Sequence, residues 1–188
     1  MGSEMCIRDR PVRTEVRTDD GWLEFQEYFV HRHQAPEVHA VRFDGIEAAR
    51  PTAEILAALA DADAVVIAPS NPIVSIGPIL AVPGLREALA AVRQREAPIV
   101  AVSGIISGAA LKGPADRMLV SLGHDSSALG VARLLADVAT DLVIDDVDAG
   151  LAGPVAATGL RVHVLDTIMG GDAGRARFAG ELLGLLAD

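Results

Sequence analysis

The sequence predicts a three-layer α/β domain, a mainly parallel sheet with helices on both faces, Rossmann-like in its winding. The first observation is the stretch Ala64 to Leu80. It opens with Ala64-Val65-Val66-Ile67-Ala68, bounded by Asp63 and Pro69, and reads as a strand buried on both faces. The second is that the same order of apolar run, polar or glycine-rich loop and helix recurs at Ile99–Val102, Leu142–Ile144 and Val162–Leu165. The third is composition: 188 residues, 51% hydrophobic and 3% aromatic, suffice for one globular domain with a sizeable core.

The opening MGSEMCIRDR has neither helical nor strand periodicity and reads like a translated sequencing-adaptor string. Residues 1–10 are therefore expected to be non-native, with the natural protein extending further upstream and residues 11–188 forming part of one α/β domain. Val12 to Thr18 alternates apolar or β-branched with charged residues, a half-exposed strand, and Asp19-Asp20-Gly21 signals a hairpin into Trp22-Leu23-Glu24. Phe25, Tyr28 and Phe29 then share one face of a short helix, which reads first as a packed aromatic face. His31 and His33 have strand rather than helix spacing, and no acidic partner is set beside them by sequence.

Val38 to Phe43 reads as a further strand broken by Gly45. Thr52 is a good N-cap for a helix whose stripe is Ile55, Leu56 and Leu59. After the central strand, Pro69-Ser70-Asn71-Pro72 is a turn cluster with two side chains able to bond a ligand or their own backbone. Pro83-Gly84 introduces a helix carrying Leu85, Leu89 and Val92, stopped by Ala97-Pro98. The Ile99 strand runs into Ser103-Gly104-Ile105-Ile106-Ser107-Gly108, and Pro114 starts a helix that Gly123 closes. Ser126 or Ser127 caps the next helix, with Leu129, Val131, Leu134 and Leu135. Asp145-Asp146-Val147-Asp148 could hold a divalent cation, although a solvated turn opening a helix explains it more simply. Asp166-Thr167 stands at the end of the fourth strand, and Gly170-Gly171-Asp172 starts a final helix. Ligands of open α/β sheets bind beyond the carboxyl ends of the strands, so these polar loops are where a site is expected.

A formal charge of −10 argues against a broad nucleic-acid or anionic-membrane surface. An anionic ligand needs local donors instead, and Lys112, the single lysine among 16 basic residues, is one candidate. No apolar run approaches the length of a membrane span and no leader is recognisable, so a soluble cytoplasmic protein is expected. One cysteine, Cys6, allows neither an internal disulfide nor a cysteine metal cluster. No GxxxxGK[ST], GxGxxG or GxSxG string is present, so the common phosphate loop, the dinucleotide fingerprint and the nucleophile elbow are excluded as motifs.

The string Ala68-Pro69-Ser70-Asn71-Pro72-Ile73-Val74-Ser75-Ile76-Gly77-Pro78-Ile79-Leu80 closely resembles the signature of the 2-phospho-L-lactate transferase family, including its phosphoenolpyruvyl members. Three weaker segments fit in order: Phe25-Gln26-Glu27-Tyr28, Ala110-Leu111-Lys112-Gly113-Pro114-Ala115-Asp116 and Asp166-Thr167-Ile168-Met169. The resemblance implies transfer of a 2-phospholactyl or phosphoenolpyruvyl group from its GDP-linked donor to the deazaflavin precursor Fo, releasing GMP, in coenzyme F(420) biosynthesis. It implies Mg²⁺ as cofactor and a homodimer. It would place Ser70, Asn71, Ser75, Gly77 and Lys112 on the nucleotide, and Phe25, Tyr28, Ser103, Asp166 and Thr167 near substrate. Catalytic residues and metal ligands are not assigned within this chain.

Two departures stand out. Gly104 follows Ser103 where the family usually has proline, which is expected to loosen that loop. The family's glycine-rich start and its Asn-x-Gly-Asp-Asp-type segment, whose aspartate the resemblance ties to metal and Fo, have no counterpart. The metal ligands are therefore expected in a missing N-terminal part, and the chain is expected to be the carboxyl-terminal part of the enzyme and inactive alone. Two alternatives are a UDP-sugar-binding regulatory protein of the related gluconeogenesis-factor family, and a domain without activity whose open sheet edge associates.

Overall fold

In the computed structural model, which describes residues 7–186, the chain builds two principal sheets, one antiparallel and one parallel. Cys6 lies outside the described residues. β1 (Arg13–Thr18) pairs antiparallel with β2 (Gly21–Glu24) across the predicted Asp19-Asp20 turn, and on its other side with β3 (Ala40–Asp44). Period-two alternation decides the faces. Val16, Leu23 and Val41 point inward, while Glu15, Arg17, Trp22 and Arg42 point outward, with the Arg42 guanidinium 4.3 Å above the Trp22 ring. Beneath the sheet, Val16, Val38, Val74, Met118 and Tyr28 form a small core. Tyr28 reaches it from a wide turn of π-helix at Glu27–His31. His31 lies in that turn beside Glu27, and His33 follows in a left-handed conformation (φ 49°), so the two histidines do not share a strand face.

The second sheet is parallel throughout, in the order β4 (Val65–Ile67), β5 (Ile99–Val102), β8 (Asp141–Asp145), β9 (Arg161–Leu165). Between β5 and β8 the two-residue strands β6 (Ile105–Ile106) and β7 (Ala109–Ala110) form a hairpin. The glycine-rich stretch after β5 is thus a hairpin rather than an open loop. Its turn, Ser107-Gly108, takes positive φ at both positions (50° and 80°), the geometry that matches strand twist.

One face of the parallel sheet, with Ile99, Ala101, Leu142 and Ile144, is covered by α1 (Ala53–Asp61), α3 (Leu85–Gln94), α5 (Ala128–Leu135) and α6 (Ala152–Ala156). The other, with Val100, Val102 and Val143, is covered by α7 (Gly171–Leu185) through Phe178 and Leu182. The three-layer prediction therefore holds. Thr52 and Ser127 cap α1 and α5 as their sequence positions predict, accepting from the N–H groups of Ile55 and Gly130.

One expectation is corrected. The strand at Ala64–Ala68 is not central and is not buried on both faces: β4 is the outermost strand, and Val66 is 44% exposed. Small β-branched residues suit a doubly covered strand, but they do not decide sheet order. Where they are described, residues 7–10 contact the rest of the fold. Ile7 packs on the main core and its carbonyl accepts from Thr52 N–H, while Asp9 and Arg50 exchange backbone and side-chain hydrogen bonds. No single helix among the described residues is long and apolar enough to cross a membrane.

Candidate functional site

The carboxyl ends of β4, β5 and β9 converge on a cleft of about 620 Å³. Its walls are the Pro69-Ser70-Asn71 loop with Val74 and Ser75, Gly104, the Ala110–Ala115 arm with Lys112, the Thr167–Gly170 loop, and Phe25 with Phe29. This is the position that the winding of a parallel sheet predicts for a ligand.

The Ser70-Asn71 wall is shaped by an Asx cap. Asn71 Oδ1 accepts from the N–H groups of Ile73 (2.9 Å) and Val74 (3.2 Å), while Pro72 follows at a position where no N–H is needed. The next turn, Pro72–Ile76, is π-helical: Ile76 N–H reaches back five residues to the Asn71 carbonyl at 3.0 Å. That widening turns Val74 and Ile76 into the core and leaves Ser75 exposed toward the cleft. The Asn71 amide nitrogen lies 3.6 Å from the Met118 sulfur, joining this wall to α4 (Ala115–Ser121).

The Lys112 arm leaves the β6–β7 hairpin, whose tip is held from two sides. The Ser107 N–H donates to the Asp148 carboxylate (3.0 and 3.2 Å), and Ser126 Oγ donates to the Gly108 carbonyl at 2.8 Å. At Gly104 the β4 and β5 loops lie side by side, and an added Cβ would meet the Ser70 backbone at 3.4 Å, an ordinary van der Waals contact.

The Thr167–Gly170 wall is held from behind. Asp145, buried at the end of β8, accepts from Thr167 N–H (3.0 Å), Thr167 Oγ1 (2.6 Å) and Val147 N–H (3.2 Å). Burial pushes the Asp145 pKa up, but these hydrogen bonds outweigh it and hold the carboxyl below its ordinary range. Asp146 moves the other way, raised mainly by its hydrogen bond with Asp145, with burial and the Asp145 and Asp166 charges adding to it. Arg177 of α7 pairs with the Asp166 carboxylate at 2.8 Å and donates to the carbonyls of Asp166 and Ile168.

Of the residues expected at a site, the cleft brings together Ser70, Asn71, Ser75, Lys112, Phe25 and Thr167. Four others stand elsewhere. Tyr28 is buried, donates to the Gln34 carbonyl at 3.4 Å and lines a neighbouring cavity of about 450 Å³. Ser103 is buried, its Oγ bonded to both the N–H and the carbonyl of Ile105. Gly77 opens α2 (Gly77–Leu80), where a Cβ would meet the Phe43 ring at 3.2 Å and the Pro72 carbonyl at 3.3 Å, so a side chain there would need these neighbours to shift slightly. Asp166 is engaged by Arg177 and by Ile168 N–H. Sequence reasoning missed Phe29, Val74, Ile168 and Met169 as lining residues. Their signals were present, since Phe29 shares the Phe25 helical face and Ile168-Met169 continues a quoted segment.

The residues of the cleft do not fit Mg²⁺. None that lines it is a carboxylate, and among the described residues no group of three or more His, Cys, Asp or Glu is placed to hold a metal ion. The free groups are of the opposite kind. Among the described residues, the side chains of Lys112, Ser70 and Ser75 make no hydrogen bond or ion pair within the chain, and all three are exposed donors suited to an anion.

Comparison with known proteins identifies relatives of the chain. The family model described as 2-phospho-L-lactate transferase CofD matches residues 6–162. The chain is 39% identical over 159 residues to a phosphoenolpyruvate transferase of Streptomyces griseus, covering 84% of this chain and 49% of that protein. It is 39% identical over 163 residues to a 2-phospho-L-lactate transferase of Methanococcoides burtonii, covering 87% and 52%. The chain thus spans about half the length of these curated relatives. Among solved structures, protein BH3568 of Bacillus halodurans shares the fold with a TM-score of 0.64 at 16% identity, covering 94% of this chain and 60% of that one. With a family match across most of its length and the signature loop built into the wall of the strand-end cleft, the chain belongs to the 2-phospho-L-lactate transferase CofD family.

Proposed function

We propose that this chain supplies the nucleotide and phosphate side of a site that transfers a 2-phospholactyl or phosphoenolpyruvyl group from a GDP-linked donor to the deazaflavin Fo. In that reaction a ribityl hydroxyl oxygen attacks the phosphorus bearing the lactyl or enolpyruvyl group. A phosphodiester forms, the anhydride P–O bond breaks and GMP leaves with the bonding electrons. The observation that carries the reading is the cleft itself. Phosphate-type donors, Lys112, Ser70 and Ser75, share one space with an aromatic wall, Phe25 and Phe29, in a chain of this family. Oriented donors stabilise charge on phosphoryl oxygens, and aromatic faces receive flat rings. The relatives' names, a 2-phospho-L-lactate transferase and a phosphoenolpyruvate transferase, support both transferred groups equally.

Calorimetric titration of the 188-residue chain with GDP, with Fo and with a UDP-sugar tests the proposal. GDP should bind, and a Ser70→Ala, Ser75→Ala double variant should bind it more weakly. A folded chain that bound neither GDP nor Fo would overturn the reading. One that bound the UDP-sugar and not GDP would replace it with the regulatory alternative.

A further inference from the structure

The resemblance brings a divalent cation to mind, but the donor set of the cleft is built for the opposite charge. Mg²⁺ demands octahedral oxygen coordination and in proteins takes one or two carboxylates beside the ligand's phosphates. No carboxylate lines the cleft, and three that stand near its walls already hold hydrogen bonds. Asp145 accepts three hydrogen bonds from Thr167 and Val147. Asp166 is paired with Arg177 and caps Ile168 N–H. Asp116 accepts from Arg117 N–H at 2.8 Å and lines the neighbouring cavity rather than this one. Two neutral oxygens of the walls are engaged as well: Asn71 Oδ1 caps the π turn, and Thr167 Oγ1 donates to Asp145. What faces the cleft unengaged is one ammonium group and two serine hydroxyls, on walls fixed by the Asx cap and the clamped hairpin.

We propose that this chain binds the diphosphate of a nucleoside diphosphate without a divalent cation, with Lys112 as the cation that faces it and Ser70 and Ser75 as hydroxyl donors. This rests on the transferase reading, which places a guanosine nucleotide in the cleft. The chain's net charge of −10 makes the local cation more consequential, because the surrounding field repels a polyanion. A compact ammonium on a flexible stem also suits the shifting oxygens of a diphosphate.

The test is titration of the full chain with GDP in excess Mg²⁺ and again in EDTA, repeated for Lys112→Met and Lys112→Arg, with guanosine as the uncharged probe. Lys112 is exposed, so both variants should keep the wild-type circular dichroism and melting temperature. GDP affinity should be the same with and without metal, and Lys112→Met should weaken it about tenfold, the worth of a charge-assisted hydrogen bond. Lys112→Arg should restore most of the loss, and guanosine should bind wild type and Lys112→Met alike. GDP binding that requires Mg²⁺ would overturn the proposal while leaving the transferase reading intact. No GDP binding under either condition would overturn both. Metal-independent binding untouched by Lys112→Met, or an equal loss for guanosine, would overturn the assignment of Lys112.

Discussion

Replacing Asn71 with alanine separates a structural role from a ligand role at the family's signature loop. In the structure both acceptor positions of the Asn71 side chain are used internally, on Ile73 N–H at 2.9 Å and Val74 N–H at 3.2 Å. Alanine leaves both donors without that partner at a half-buried turn, and losing such a cap costs about 1–2 kcal/mol. For a chain of 188 residues each kcal/mol lowers the melting temperature by about 2–4 °C, so a fall of about 2–8 °C is expected. Asn71→Asp keeps an acceptor in the same place and should retain near-wild-type stability. The assay is urea denaturation of the three proteins followed by circular dichroism, with equal slopes required before the midpoints are compared. Equal midpoints for wild type and Asn71→Ala, or an Asn71→Asp variant as unstable as the alanine one, would refute the capping argument and return Asn71 to the ligand.

Gly130→Ala should destabilise strongly despite alanine's better helix propensity. The new Cβ would lie 1.9 Å from the Asp125 carbonyl oxygen, and overpacking of at least about 1–3 kcal/mol exceeds a propensity gain of about 1 kcal/mol; a thermal melt as high as wild type would contradict this. Buried Asp141 is pushed up by burial, but hydrogen bonds from His163 (2.7 Å), Thr140 (2.6 Å) and Arg161 (2.9 Å) outweigh it and hold its carboxyl below the ordinary range. A depressed native pKa gives stability that is present above the unfolded value of about 3.9 and lost as pH falls through the native value. The stability gap between wild type and Asp141→Asn should therefore close as pH drops below about 4, and a gap undiminished at about pH 2 would count against it. Arg177→Ala should speed amide hydrogen exchange at Thr167 and Ile168, because it removes the Asp166 pair and two carbonyl contacts. Unchanged exchange there would mean that Asp145 alone holds the wall.

Periodicity made the layers legible. Alternation over Arg13–Thr18, the Asp-Asp-Gly turn, the Thr52 cap and the repeated strand-loop-helix order all report local backbone preference, and each reappears in the fold. Sheet order was not legible, because the pairing of β4 with one neighbour rather than two depends on long-range contacts that its apolar residues do not encode. The cleft was partly legible for a similar reason. The Ser70-Asn71 loop is expected at a cleft because strand ends gather ligands, and the resemblance adds Ser75 and Lys112; all four residues line the same cleft. Ser103, Gly77, Tyr28 and Asp166 do not line the cleft, and residue type alone does not separate a hydroxyl, glycine or carboxylate serving a ligand from one serving the backbone. That distinction rests on hydrogen-bond partners.

Those partners also explain the sign of the cleft. A chain with 26 acidic residues against 16 basic ones presents no carboxylate to the walls of this cleft. It does so by using the acids as framework. Asp145 and Asp166 hold the Thr167 wall, and Asp148 holds the hairpin that carries Lys112. Each of these bonds fixes a loop of the cleft. With the carboxylates engaged in this way, Lys112, Ser70 and Ser75 are the polar side chains on its walls that hold no hydrogen bond or ion pair among the described residues.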